Sequence, residues 1–273
     1  MRIALGVPIL STLALAGCGA IAAPPSPGFT PASVEARAAT EMPPNRHRDV
    51  AQQPIYVCDA NGVLWAVAVD GKAVRRVGAE GVTLTDIAFD PKNDKMYGVS
   101  FTGFYSIDPE TGAATYIGST GLYQANALIF DRAGAAFTAG YGTTDLYSIN
   151  IKTGAATPIG DNGYWESAGA LTFYNEGLVL SGGSVYSPNS LVWLSPQSGR
   201  ILKTVPLDVE DLFGLASTGE NALYGFAGTD FYRIVPQAKD IAKRTVPIVN
   251  LDGLNPDVGQ IYGAAYDGNF QGP

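Results

Sequence analysis

Histidine and cysteine are nearly missing from this chain of 273 residues, which carries one of the first and two of the second. The lone His47 lies far toward the N-terminus, in an Ala- and Pro-rich stretch. The folded part therefore offers no imidazole for a serine triad or an ordinary zinc site. Charge is sparse as well: 15% of residues are Asp, Glu, Lys or Arg, and the formal net charge is −8. The basic residues form no cluster beyond the pairs Arg75-Arg76 and Lys243-Arg244. That balance argues against nucleic acid or anionic lipid as a partner surface, and the two pairs are expected on solvated strand faces. No nucleotide-binding loop occurs. Asp252-Gly253-Leu254-Asn255-Pro256-Asp257 holds oxygen ligands without the spacing of a calcium loop, so it is expected to be a turn. The apolar run that opens the chain, Ile3 to Gly17, is too short to cross a bilayer as a helix.

That run follows the single positive residue Arg2 and has the layout of a signal peptide, residues 1–17. It ends in Leu15-Ala16-Gly17-Cys18, which resembles the lipobox of bacterial lipoproteins. The resemblance implies that Cys18 is acylated and becomes the mature N-terminus, with the covalent lipid holding the protein on a membrane. Each buried CH₂ gains about 0.8 kcal/mol, so two or three chains anchor almost irreversibly. Gly19 stands where lipoproteins kept on the inner membrane tend to have Asp, which favours the outer membrane, on its periplasmic or surface face. Residues 18–54 show no apolar period and are expected to be a flexible tether, spanning about 30–35 Å as a random coil. With Cys18 acylated, Cys58 has no partner for an internal disulfide. Its setting, Ile55-Tyr56-Val57-Cys58, is that of a small buried hydrophobe on a strand.

What the chain does have is self-similarity. Phe104-Tyr105-Ser106-Ile107-Asp108-Pro109-Glu110-Thr111-Gly112-Ala113-Ala114-Thr115-Tyr116-Ile117-Gly118 returns 42 residues later as Leu146-Tyr147-Ser148-Ile149-Asn150-Ile151-Lys152-Thr153-Gly154-Ala155-Ala156-Thr157-Pro158-Ile159-Gly160. Weaker copies start near Leu64, Leu191 and Phe231. Each copy is a hairpin, with an Asp, Asn or Ser opening the turn and a Gly available for positive φ. Upstream of the hairpins lie two further short strands, such as Ile87-Ala88-Phe89-Asp90 and Met96-Tyr97-Gly98-Val99. Four antiparallel strands every 40 to 45 residues predict an all-β fold, a single β-propeller of about five four-stranded blades over residues 55–270. The C-terminal Tyr262-Gly263-Ala264-Ala265-Tyr266-Asp267 matches an innermost strand with no hairpin after it, while the first unit lacks that strand. The two are expected to pair and close the ring. The Tyr, Asp-Pro and Thr-Gly repeat resembles bacterial extracytoplasmic propeller repeats related to the quinoprotein-like class. Quinoprotein enzymes use larger propellers with a dedicated pocket, so no cofactor is expected beyond the lipid on Cys18.

In such a ring the loops entering each innermost strand share one face with the loops between second and third strands, and binding sites gather there. The candidate binding face is Tyr123, Gln124, Tyr141, Tyr164, Trp165, Glu166, Tyr186, Asp211, Phe213 and Tyr262, with Phe101, Thr229 and Gln260 beside them. Aromatic residues give large contact area at little entropic loss and suit a protein partner or a sugar ring. The expected role is a non-enzymatic interaction module of the envelope, monomeric, holding a protein or glycan. A lectin-like protein is the alternative, and beyond it a glycoside hydrolase using Asp86, Glu166 and Asp211.

Overall fold

The computed structural model describes residues 53–183, 189–218 and 222–267. Cys18, the signal peptide, nearly all of the tether and Tyr186 lie outside the described residues. The chain folds into five antiparallel four-stranded sheets arranged as the five blades of a β-propeller. Among the described residues the one helical element is a 3₁₀ turn, Ile241–Lys243.

Blade one joins β1 (Ile55–Asp59), β2 (Val63–Val67) and β3 (Val74–Ala79) to the last described strand, β20 (Ile261–Tyr266), which takes the innermost place. Blade two is β4 (Asp86–Asp90), β5 (Lys95–Val99), β6 (Gly103–Ile107) and β7 (Ala114–Ser119). Blade three is β8 (Ala125–Phe130), β9 (Ala136–Gly140), β10 (Asp145–Ile149) and β11 (Ala156–Asp161). Blade four is β12 (Ser167–Tyr174), β13 (Gly177–Gly182), β14 (Ser190–Leu194) and β15 (Ile201–Pro206), and blade five is β16 (Leu212–Ser217), β17 (Leu223–Ala227), β18 (Asp230–Ile234) and β19 (Thr245–Asn250). In blades two to five the chain runs from the axis outward. The ring closes where Ile55 pairs with Tyr266, Tyr56 with Ala265 and Val57 with Ala264.

Side chains alternate across a strand, so each inner strand feeds two neighbours. On β1, Ile55 and Val57 enter a core with Phe226 and Phe231 of blade five, while Tyr56 and Cys58 enter another with Ile87 and Met96 of blade two. Five such cores exist, one at each blade junction. A blade therefore has no core of its own, and stability is a property of neighbours. Cys58 is fully buried, and burial pushes its thiol well above the usual range, with the charge of Glu80 acting in the same direction. It is a packing residue.

The repeated hairpin turn also has an outward role. The Thr111-Gly112 turn of blade two abuts Gly78 of blade one, Thr153-Gly154 of blade three abuts Gly118 of blade two, and Ser198-Gly199 of blade four abuts Gly160 of blade three. Gly112 and Gly154 adopt positive φ, 77° and 78°, which suits glycine alone among residues without penalty. The series ends at blade five, where Arg244 donates from Nη1 to the Pro206 carbonyl of blade four at 2.7 Å and from Nε to Ala238 at 3.0 Å. The pair Lys243-Arg244 thus belongs to the 3₁₀ turn rather than to a solvated strand face, because a turn lacking Thr-Gly needs another bond across the junction.

Candidate functional site

Four of the five innermost strands lose register where they enter the channel mouth. The shift falls between Ala125 and Ala127 on β8, between Ser167 and Leu171 on β12, and between Leu212 and Gly214 on β16. On β20 it falls opposite the step from Cys58 to Asp59. β4 pairs through without a break. A bulge leaves a residue out of the ladder and re-aims its side chain. The skipped residues Asn126, Ala168, Phe213 and Tyr262 all line one cavity of about 360 Å³ at the axis.

Phe101 and Tyr141, from the loops between second and third strands, complete an aromatic wall with Phe213 and Tyr262, whose rings meet edge to face at 6.2 Å. Gln124, Asn189 and Gln260 add carboxamides, and Thr85, Glu210 and Asp211 add oxygens. Asp211 holds a positive φ of 54°, a turn conformation that places it at the exposed rim. Among the described residues no Lys or Arg lines the cavity. Asn189 is committed to the fold, its Oδ1 accepting from the Leu212 amide at 2.9 Å. Thr85 likewise donates its hydroxyl to the Val99 and Ala125 carbonyls, tying blade two to blade three.

Beneath the cavity, β4 supplies a carboxylate where the other strands supply backbone. Asp86 is 1% exposed and accepts from the Ile87 amide at 2.9 Å and from the Leu128 amide of blade three at 2.7 Å. Burial pushes its pKa well above the usual carboxylate range. The amides of Leu128, Ile87, Ala264 and Leu171, drawn from four blades, pull the other way. A side chain at Gly263 would come within 2.5 Å of Asp86, so glycine there leaves room for the carboxylate. Below it, Ala88, Ile129, Thr172, Ala216 and Ala265 enclose a void of only about 40 Å³. Asp86 thus lies between the two ends of the axis and ties blade two to blade three. Asp86→Ala is expected to orphan its amides and lower unfolding free energy by about 2 kcal/mol, measurable by urea titration.

Of the residues singled out from sequence, the fold brings Gln124, Tyr141, Asp211, Phe213 and Tyr262 together in the cavity, with Phe101 and Gln260. Tyr123, Tyr164, Trp165 and Glu166 do not line it. Tyr123 and Tyr164 are 84% and 73% exposed. Trp165 packs over Gly182 and joins the core between blades three and four, held there by Asn162, whose Oδ1 accepts from the Trp165 amide. Glu166 accepts from the Gly142 amide at 3.2 Å. The three carboxylates considered for hydrolysis are therefore separated in role: Asp86 sits under the cavity, Asp211 at its rim and Glu166 on a loop. Sequence reasoning missed Asn126, Asn189, Thr85 and Glu210. No local pattern marks a bulge, although Asn126 and Thr85 each stand just ahead of an apolar inner run, where a polar residue must face something other than a core.

No protein-family model matches the chain, and no curated protein matches it. Among solved structures, it is similar at 14% identity to a protein of unknown function from Bacteroides caccae, over 71% of this chain and 73% of that one, with a TM-score of 0.46. It is similar at 19% identity to a chain from a study of the de novo evolutionary emergence of a symmetrical protein, over 71% and 92%, with a TM-score of 0.49. It is similar at 11% identity to a chain of a nidogen/laminin complex, over 82% and 87%, again with a TM-score of 0.49. Likenesses this distant lend the chain no activity.

Proposed function

We propose that this protein is a non-enzymatic binding module of the bacterial envelope, carried on a lipid at Cys18 to the outer membrane and engaging an envelope component at the mouth of its channel. The observation that carries the binding role is the cavity itself. Bulges on four inner strands turn side chains into one concave site of about 360 Å³, within the range of small-ligand pockets, about 300–1,000 Å³. Rigid strands hold those side chains in place. The lipid anchor rests on the lipobox alone. The absence of turnover is supported by Asp86, the one deeply buried carboxylate of the three considered, being occupied with backbone amides.

Two measurements test the two halves. Cys18→Ala is expected to abolish incorporation of radiolabelled palmitate and to move the protein from the membrane to the soluble fraction; a variant that stays with the membrane refutes the anchor. For the site, crosslinked envelopes carrying wild type are compared with a Gln260→Ala, Tyr141→Ala double variant. Loss of the captured component is expected, and an unchanged capture refutes the channel mouth as the binding surface.

A further inference from the structure

We propose that the channel mouth receives a terminal neutral sugar ring, so that the envelope component it holds is a glycan. The inference rests on the binding role above and adds the chemistry of what is bound. Its first support is Asn126, which is 8% exposed and lines the cavity floor. Its Nδ2 donates to the Ser167 carbonyl at 3.1 Å, which fixes the orientation of the amide. The Oδ1 is then left with no hydrogen-bond partner among the described residues. A buried acceptor without a donor is unfavourable, and a ligand hydroxyl supplies one.

The rest of the cavity fits the same ligand. Gln124 and Gln260 line it, and a carboxamide offers donors and an acceptor in one plane, which matches neighbouring hydroxyls that both donate and accept. A pyranose also has an apolar C–H face, and Phe213 and Tyr262, from adjacent blades, present aromatic surface to it. Charge decides the class of sugar. Glu210 and Asp211 stand at the exposed rim and no cation lines the cavity among the described residues, so phosphorylated, sulfated and carboxylated sugars are repelled. The floor carries an amide and a hydroxyl rather than a carboxylate, which suits hydroxyls better than an ammonium group. A volume of about 360 Å³ admits a ring with its substituents and not an extended chain, so the sugar enters end-on.

The test uses the full acylated protein in detergent, with saturation-transfer NMR and calorimetry. The probes are the methyl glycosides of glucose, galactose, mannose and N-acetylglucosamine; N-acetylneuraminic acid and glucose 6-phosphate serve as charged controls. At least one neutral glycoside is expected to bind and the charged controls are not. Phe213→Ala and Gln260→Ala should each weaken that binding about tenfold, while Tyr164→Ala leaves it unchanged. Gln260 is exposed, so its variant folds even where Phe213→Ala does not. Binding that ignores both variants, a preference for the charged controls, or no neutral glycoside bound by folded wild type each overturns the proposal. If no sugar binds but the Gln260→Ala, Tyr141→Ala variant still loses a crosslinked protein, the sugar class falls and the binding role stands; if neither is seen, both fall. Release of nitrophenol from the matching aryl glycoside would overturn the non-enzymatic reading and leave the sugar class intact.

Discussion

Glu80→Gln is expected to raise the stability of the propeller at pH 8 to 9 and to remove much of its dependence on pH. Glu80 follows β3 in the loop to blade two and is 1% exposed, and neither carboxylate oxygen has a hydrogen-bond partner among the described residues. Burial, and secondarily the charge of Asp59, push its pKa from the ordinary 4.5 to about 8. The Leu84 amide favours the charged form only weakly, from outside hydrogen-bond geometry. The sign follows from proton counting. Below pH 4.5 the carboxyl is protonated in both folded and unfolded chains; between 4.5 and 8 the folded chain keeps a proton that the unfolded chain has lost. Stability therefore falls as pH rises through that window and is flat above it. At about 1.4 kcal/mol per tenfold change in proton affinity, the full swing is on the order of 5 kcal/mol. Glutamine matches the protonated carboxyl in shape and carries no charge. Denaturant unfolding at pH 5, 7 and 9 is expected to give a variant-minus-wild-type difference that grows with pH. The difference isolates Glu80 from Asp86, whose burial slopes the same way. A constant difference across the three values refutes it.

Gly118→Ala is expected to lower unfolding free energy by about 3 kcal/mol, the upper range for forcing extra volume into a packed site. A Cβ there would lie 1.9 Å from the Thr153 carbonyl oxygen, and backbone cannot swing aside as a side-chain tip can. Gly78 and Gly160 face the next blade's turn in the same way, at 1.8 Å from Thr111 and 2.2 Å from Ser198. Gly121→Ala is the control: its φ of 75° strains any other residue, yet nothing lies within 4 Å of the added methyl. That strain is worth only about 1 kcal/mol. Equal losses for the two variants would mean that conformational freedom, not the contact between blades, explains the repeat's terminal glycine.

This contact explains why the fold was legible. The segments ending at Gly118 and Gly160 repeat because each must meet backbone at the same place, a demand that tolerates few residues and so leaves a periodic trace. Apolar alternation on β1, shared between two junctions, is equally visible. The closure strand was found because it repeats a motif in isolation. The cavity was half legible. Gln124, Tyr141, Asp211, Phe213 and Tyr262 lie where the loop order of a propeller puts them, but Trp165, an aromatic residue on a loop, packs inward. The inner strands also begin before their apolar runs, since Asn126 and Ala168 face the axis after a bulge. Glu80 left no signal at all: a glutamate just past the end of a strand is ordinarily solvated, and only the assembled fold buries it.

The pairing of β1 with β20 also sets an order of events in time. Ile55 and Tyr266 are partners across nearly the whole domain, and contacts so distant in sequence form late. Hairpins of the middle blades can assemble while the chain is still emerging, but the inner edge of β1 stays unlatched until residues 261–266 arrive. A chain cut short before that strand would keep an open, hydrogen-bonding edge beside a half-filled core, the kind of defect that invites proteases and aggregation. β20 therefore works as a latch, and the ring holds its shape only once that strand has docked beside β1.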